Sequence, residues 1–207
     1  MNASTQTSST QTSSTAYNLR QNVVGARSTA WWGMVMLITT EAMIFASLFS
    51  AYLYVRANSP AWPQGSIEVP ELVIPLIGTA LLLGGSVSIH LAQHAVRGDA
   101  PVQARTWMAV TFILALIFLS LQAFEYSRSP FTPTDNAYAS LFFTITGIHG
   151  LHVIVGAVMV AILLMQSFVG YLSHARSGAV MNAALYWHFV DVIWLFVLAI
   201  IYLSPRL

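Results

Sequence analysis

Five protonatable side chains stand in stretches of the sequence that contain few other polar groups. They are Glu41 in the run ITTEAMIF, His149 and His152 in GIHGLHVIVG, and His188 and Asp191 in YWHFVDVIW. Each of the two pairs is spaced i, i+3, so in a helix its members share one face. An imidazole beside a carboxylic acid can exchange a proton, contribute to a metal site, or hydrogen-bond two helices together.

The composition indicates an integral membrane protein. Hydrophobic residues make up 57% of the chain and charged residues only 7%, against about 25% charged residues in ordinary soluble domains. The sequence contains no cysteine, which excludes disulfides, thiolate metal sites and cysteine nucleophiles. A net charge of +1 without any lysine provides no cluster of cations of the kind that nucleic-acid binding requires.

Long apolar stretches predict an all-α fold, a polytopic bundle of five transmembrane helices. A helix that crosses a hydrocarbon core about 30 Å thick needs about 20 apolar residues, and the alternation typical of a transmembrane barrel is missing. The predicted spans are 31–55, 72–96, 106–126, 138–172 and 179–203. The fourth is too long for one perpendicular crossing, so it must tilt or begin outside the hydrocarbon. We assign residues 29–207 to this bundle.

The amino-terminal segment has a different composition. Residues 1–28 are rich in serine, threonine and glutamine and contain a short repeat of small polar residues. Such a segment cannot bury enough apolar surface to fold alone, so we predict a disordered cytoplasmic tail.

The arginines predict the orientation of the bundle. Five crossings place two sets of arginines on opposite sides: Arg20, Arg27, Arg97, Arg105 and Arg176 on the amino-terminal side, and Arg56, Arg128 and Arg206 on the other. Because cytoplasmic loops carry an excess of cations, this distribution predicts the amino terminus inside and the carboxyl terminus outside.

Depth in the membrane brings the five protonatable groups to a similar level. At 1.5 Å per residue, Glu41 lies about 15 Å from the inner end of the first predicted helix, and His188 and Asp191 lie about 14 and 18 Å from that of the fifth. His149 and His152, on a helix that runs the other way, also fall near the midplane. We predict one intramembrane cluster, in which Glu41 approaches at least one of the other four, because ionisable groups at this depth face the bundle interior and pair.

Several roles remain open for such a cluster. Its members can simply hydrogen-bond the helices together, or they can act in proton transfer. A metal site is disfavoured, because a di-iron bundle uses four carboxylates and two Glu-x-x-His repeats, whereas the order here is His-x-x-Asp. A small transporter or proton channel would need a polar pathway across the membrane, often with internal repeats, and the sequence shows no such repeat.

A second set of polar and aromatic residues is predicted near the helix ends, where side chains reach headgroups or a neighbouring subunit. This set comprises His90, His94 and Arg97 at the inner end of the second helix, Trp32 at the start of the first, and Glu125 at the outer end of the third. For Glu125 we expect a role in capping the bundle or pairing with Arg128.

Four sequence runs resemble subunit 3 of the haem–copper oxidases, with the best match to the cytochrome c oxidase branch. They are WWGMVMLITTEAMIF, VSIHLAQHAVRGD, LQAFEYSRSPFTPTDNAYASLFFTITGIHGLHVIVG and YWHFVDVIWLF, and they follow one another in family order between Thr29 and Pro205. The resemblance implies a short, five-helix bacterial form. The first helix here corresponds to the third helix of the longer mitochondrial form.

The resemblance implies an accessory, non-catalytic subunit of a proton-pumping terminal oxidase that reduces oxygen to water in aerobic electron transport. It implies direct contact with the catalytic subunit 1, and subunits 2 and 4 in the same complex. It further implies that haem and copper belong to the partner subunits and that this chain has no metal. From the resemblance we also expect the chain to bind phospholipid, to bind no nucleic acid, and to lie in the bacterial cell membrane.

The resemblance also assigns individual residues. Glu41 matches the intramembrane carboxylate of the family, His149 and His152 match its G-x-H-G-L-H motif, and His188 with Asp191 matches its W-H-F-x-D motif. Subunit 3 of a quinol oxidase stays open as an alternative. Glu41 favours the cytochrome c branch, since quinol oxidases of enteric bacteria typically carry aspartate there.

Overall fold

The computed structural model describes residues 28–64, 70–170 and 177–206, and the regular structure in these ranges is entirely helical. The helices are α1 (Thr29–Ala57), α2 (Val73–Arg97), α3 (Pro101–Arg128), α4 (Ala137–Phe168) and α5 (Gly178–Val197). The chain continues from α5 through a π-helical segment, Leu198–Leu203, into a short 3₁₀ turn. Within these ranges, five helices are long and apolar enough to cross a membrane, which confirms the predicted five-helix, all-α fold; the orientation of the termini stays a prediction.

The helix boundaries differ from the predicted spans mainly at α3 and α4. Helix α3 begins at Pro101, before the predicted start at residue 106, because proline is favoured in the first turn of a helix. Arg105 therefore lies within α3, and its guanidinium donates to the carbonyl oxygen of Ser167 at 2.6 and 3.1 Å. Helix α4 ends at Phe168; residues 171–172 of the predicted span and residues 1–27 of the predicted disordered tail lie outside the described residues.

Four of the helices form a closed ring, and the fifth packs on its outside. Helices α2, α3, α4 and α5 each contact the next, and α5 returns to contact α2, while α1 lies against α4 and α5. Hydrogen bonds tie the helix ends together, from Arg105 to Ser167 at one end and from Arg56 to Ser204 and Arg206 to the Pro70 carbonyl at the other. We call these the Ser28 end and the Arg206 end.

Two glycines allow α5 to approach its neighbours closely. A Cβ atom at Gly85 of α2 would lie 3.0 Å from the indole of Trp187, and one at Gly156 of α4 would lie 3.3 Å from the same ring. Small residues allow helix backbones to approach closely in membrane proteins. The buried Trp187 therefore fills a socket between α2 and α4, and this close approach positions the polar contacts between α2 and α5.

Candidate functional site

Glu41 and His152 form a hydrogen-bonded pair that joins α1 to α4. The distance between Glu41 Oε2 and His152 Nε2 is 3.1 Å, and the side chain of Glu41 is 29% exposed while that of His152 is 11% exposed. Phe45 covers the imidazole, with ring centroids 5.0 Å apart. Glu41 thus meets one of the four residues to which we expected it to come close, on the side of the bundle where α1 packs.

Hydrogen-bond accounting limits the protonation states of this pair. His152 Nδ1 lies 2.8 Å from the carbonyl oxygen of Ile148, which can only accept, so Nδ1 carries a proton. The contact between Glu41 Oε2 and His152 Nε2 then contains one proton. This proton lies either on Glu41, which leaves the imidazole neutral, or on Nε2, which leaves the carboxylate ionised. The pair is electrically neutral in both states, which suits a site in the hydrocarbon region.

His188 and Asp191 bind one serine on α2. Ser86 Oγ lies 2.8 Å from His188 Nδ1 and also bonds Asp191 Oδ2. Because serine has a single hydroxyl proton, one of its two neighbours must donate to Oγ while the other accepts from it. Asp191 is 6% exposed, and its Oδ1 atom has no hydrogen-bond partner among the described residues. The three side chains hold α2 and α5 together through a single hydroxyl.

His149 lies apart from both of these groups. It is fully buried, with its ring 5.0 Å from the indole of Trp194 and 5.9 Å from the ring of Phe118. Neither ring nitrogen has a hydrogen-bond partner within the described part of the chain. The imidazole therefore lies in an aromatic environment between α3 and α5.

Glu41 approaches His152 as predicted, and the wider cluster of all five residues stays a prediction. The five residues separate into the Glu41–His152 pair, the Ser86–His188–Asp191 group and the isolated His149. Residues at i and i+3 differ by about 60° around a helix, which is enough to direct His152 towards α1 and His149 towards α3 and α5. In the described ranges, no three His, Asp or Glu side chains converge as a metal site would require.

Comparison with known proteins establishes the family. The family model described as cytochrome c oxidase subunit III matches residues 12–205. The chain belongs to this family. Named relatives support the assignment across most of the length, since the cytochrome c oxidase subunit 3 of Synechocystis is 36% identical over 173 residues, covering 83% of this chain and 74% of the relative.

Animal relatives show similar agreement. The subunits 3 of Pan troglodytes and Drosophila melanogaster are 39% and 37% identical, and in each case the match covers 83% of this chain and 68% of the relative. The recognition made from the four sequence runs is thereby confirmed. This chain is accordingly an accessory subunit of the haem–copper oxidases, and the described part of it contains five helices that can span a membrane.

The residues predicted to meet lipid or a neighbouring subunit at the Ser28 end are exposed. His90, His94 and Arg97 follow one another along one face of α2, and the rings of the two histidines are 6.0 Å apart. Trp32 is 54% exposed and makes an edge contact with Trp31. Their placement agrees with contact to headgroups or another subunit, which stays a prediction.

Glu125 does not pair with Arg128. Its carboxylate is 8% exposed, and Oε2 accepts hydrogen bonds from Tyr202 at 3.0 Å and Gln122 at 3.1 Å. Arg128 instead places its guanidinium over the ring of Phe124, 4.8 Å from the centroid. Of the two roles expected for Glu125, capping the bundle agrees better with the structure, because Glu125 joins the end of α3 to the π-helical segment after α5.

Sequence reasoning missed two of these partners. Ser86 stands in the run LLGGSVSIH, where small residues are typical of close helix packing and one serine is not distinguished from the next. Tyr202 follows Glu125 by 77 positions, and a tyrosine near a helix end is ordinarily interpreted as an interfacial residue. The adjacent glycines before Ser86 were the available signal, because they mark a face that another helix approaches.

Proposed function

We propose that this chain is the non-catalytic subunit 3 of a bacterial cytochrome c oxidase, located in the cytoplasmic membrane with its amino terminus inside. The observation that carries the proposal is the family match over residues 12–205. The cytochrome c branch is supported by the relatives, which are named cytochrome c oxidase subunit 3. In this role the chain contacts the catalytic subunit 1 directly and shares a complex with subunits 2 and 4.

The polar groups within the bundle serve assembly and local proton balance. Glu41 with His152 and Ser86 with Asp191 each join two different helices, as expected of interhelical hydrogen bonds. Because these groups bond one another, they support a structural role better than a pathway for protons across the membrane. The chain assists proton uptake by subunit 1 and holds phospholipid, while haem and copper reside in the partner subunits.

A pull-down through an affinity tag on this chain tests the proposal. We expect reduced-minus-oxidised spectra of the purified complex to show haem and copper, together with cytochrome c oxidase activity. The carefully separated chain should contain neither metal and show no activity. Stoichiometric metal in the separated chain would refute the non-catalytic assignment, and transport by the reconstituted chain without co-purifying haem would favour a transporter instead.

A further inference from the structure

A cavity of about 360 Å³ opens at the Arg206 end between the start of α2 and the end of α3. Its volume lies within the range of ligand sites, about 300–1,000 Å³, and is sufficient for one long side chain. One wall is apolar and includes Ile74 and Phe142, while Glu71, Glu125 and Ser129 contribute oxygen atoms. The cavity therefore combines an apolar surface with three side chains that can each accept a hydrogen bond.

The oxygen atoms around this cavity have unused capacity for hydrogen bonds. Tyr202 and Gln122 both donate to Oε2 of Glu125, whereas Oε1 accepts no hydrogen bond from the part of the chain that the structure describes. The Oγ atom of Ser129 is buried and also has no partner there. Because a buried polar atom without a partner is destabilising, these two atoms favour a ligand that donates hydrogen bonds.

No cation among the described residues forms an ion pair with the two carboxylates of the cavity. The one ion pair within 4.0 Å in these ranges joins His152 to Glu41. Arg128 lines the cavity, but its guanidinium lies over the ring of Phe124, 4.8 Å from the centroid. Arg206, at the same end, donates to two backbone carbonyl oxygens. A ligand that brings its own positive charge would therefore complement the cavity.

We propose that this cavity receives a lysine side chain from a neighbouring subunit of the oxidase complex. An ammonium group has three N–H donors and no acceptor, and it meets three acceptors here, in Glu125 Oε1, the Glu71 carboxylate and Ser129 Oγ. The methylene groups of the lysine lie against the apolar wall that contains Ile74 and Phe142, as the stems of long cationic side chains do. Because this chain contains no lysine, the residue comes from another polypeptide.

The surroundings of the cavity favour a lysine of a partner protein over other cations. A guanidinium has five N–H donors in a rigid fork, which exceeds the three acceptors present, and a quaternary amine has no N–H at all. Among the lining residues, Phe124 is 47% exposed and Arg128 is also exposed, and both residue types are enriched at protein–protein interfaces. The inference rests on the proposed function, because membership of an oxidase complex provides the neighbouring subunits.

Zero-length cross-linking of the purified complex with a water-soluble carbodiimide tests this contact. The reagent activates an accessible carboxylate, and an adjacent lysine amine then displaces it to form an amide bond. Glu71 is exposed, so the reagent can reach it. We expect peptide mass spectrometry to find Glu71 joined to one lysine of another subunit, a product that cannot be internal because this chain contains no lysine.

Substitutions of the other two acceptors test whether the lysine lies in the cavity. Glu125→Gln should lower the yield of the Glu71 cross-link about tenfold, as the loss of one charge-assisted hydrogen bond implies. Ser129→Ala should lower it about fivefold through the loss of a neutral bond, and it keeps the contact between Glu125 and Tyr202 if Glu125→Gln disturbs folding. Asp135→Asn is the matched control, because Asp135 is an exposed carboxylate in the loop after α3 that does not line the cavity. Its yield should equal that of the wild type.

An unchanged yield in both Glu125→Gln and Ser129→Ala would overturn the proposal, as would the absence of any lysine joined to Glu71. Attachment of an aminophospholipid or a small amine to Glu71 in place of a lysine would identify a different source of the ammonium and would also overturn it. Absence of haem from the complex would refute the proposed function, whereas the cross-link between co-purified chains would still be measured.

Discussion

Replacing Ser86 with alanine removes the hydroxyl that joins α2 to His188 and Asp191 of α5. Two contacts are lost, to His188 Nδ1 and to Asp191 Oδ2. Interhelical hydrogen bonds in membranes contribute about 0.6 kcal/mol on average and up to about 1.7 kcal/mol each. Asp191 would also lose the partner of Oδ2 while Oδ1 already has none among the described residues. We therefore expect Ser86→Ala to lower the free energy of unfolding by about 1–3 kcal/mol.

Reversible unfolding in mixed micelles, followed by tryptophan fluorescence, measures this change. Trp187 and Trp194 are buried next to α2, so separation of α2 from α5 should alter the signal. Ser120→Ala is the matched control, because the Ser120 hydroxyl is exposed and bonds only the Leu116 carbonyl of its own helix at 2.8 Å. That control should change stability by less than about 0.5 kcal/mol.

A double-mutant cycle separates the interaction from simple loss of volume. If the contact is real, Ser86→Ala combined with Asp191→Ala should cost less than the sum of the two single substitutions, with a coupling of about 0.5–3 kcal/mol. Equal effects of Ser86→Ala and Ser120→Ala, or strict additivity in the cycle, would refute the assignment of this serine as the bridge.

Three further outcomes follow from the same contacts. Asp191→Asn keeps an acceptor for Ser86, so assembly and turnover of the complex should stay near wild type; a clearly altered pH profile of proton pumping would show that Asp191 tunes protonation. Glu41→Gln can still hydrogen-bond His152 and should retain the α1–α4 contact, whereas Glu41→Leu should lower the melting temperature, and equal melting of both variants would contradict this pairing. The amide and hydroxyl of Thr132 lower the pKa of Asp135 in the exposed loop before α4. Its folded pKa lies below its unfolded pKa, so this loop contact is present above the unfolded value and is lost as the pH falls through the folded value. An NMR titration of the carboxyl should give a midpoint below that of a reference peptide, and a midpoint at or above it would speak against the contact.

Hydropathy was sufficient to predict the helices, because each span must be long and apolar to cross the hydrocarbon. The depth of each residue in the membrane was also predictable, because the rise per residue of a helix is fixed. This calculation placed Glu41 at the same depth as His152. The rotation of each helix depends on neighbours that the sequence does not specify. His149 and His152 were therefore assigned to one cluster, although His149 packs against Trp194 while His152 hydrogen-bonds Glu41.

The partners of buried groups were harder still to predict. Arg128, one turn after Glu125, was a reasonable partner by helix spacing, but the carboxylate instead bonds Tyr202. That contact depends on a π-helical segment, Leu198–Leu203, which hydropathy does not distinguish from an α-helix. Ser86 was likewise missed because its role arises from the close approach at Gly85.

The ring of helices has a consequence for biogenesis. Helix α5 contacts α1, α2 and α4, yet it is the last of the five to leave the ribosome. Each span is apolar enough to enter lipid by itself, so insertion precedes packing, as in two-stage folding. Until α5 arrives, the faces of α2 and α4 that will enclose Trp187 stay apart in the bilayer, and Ser86 lacks its partners. A nascent subunit thus lacks the packing around Trp187 and the Ser86 contacts until its final helix inserts.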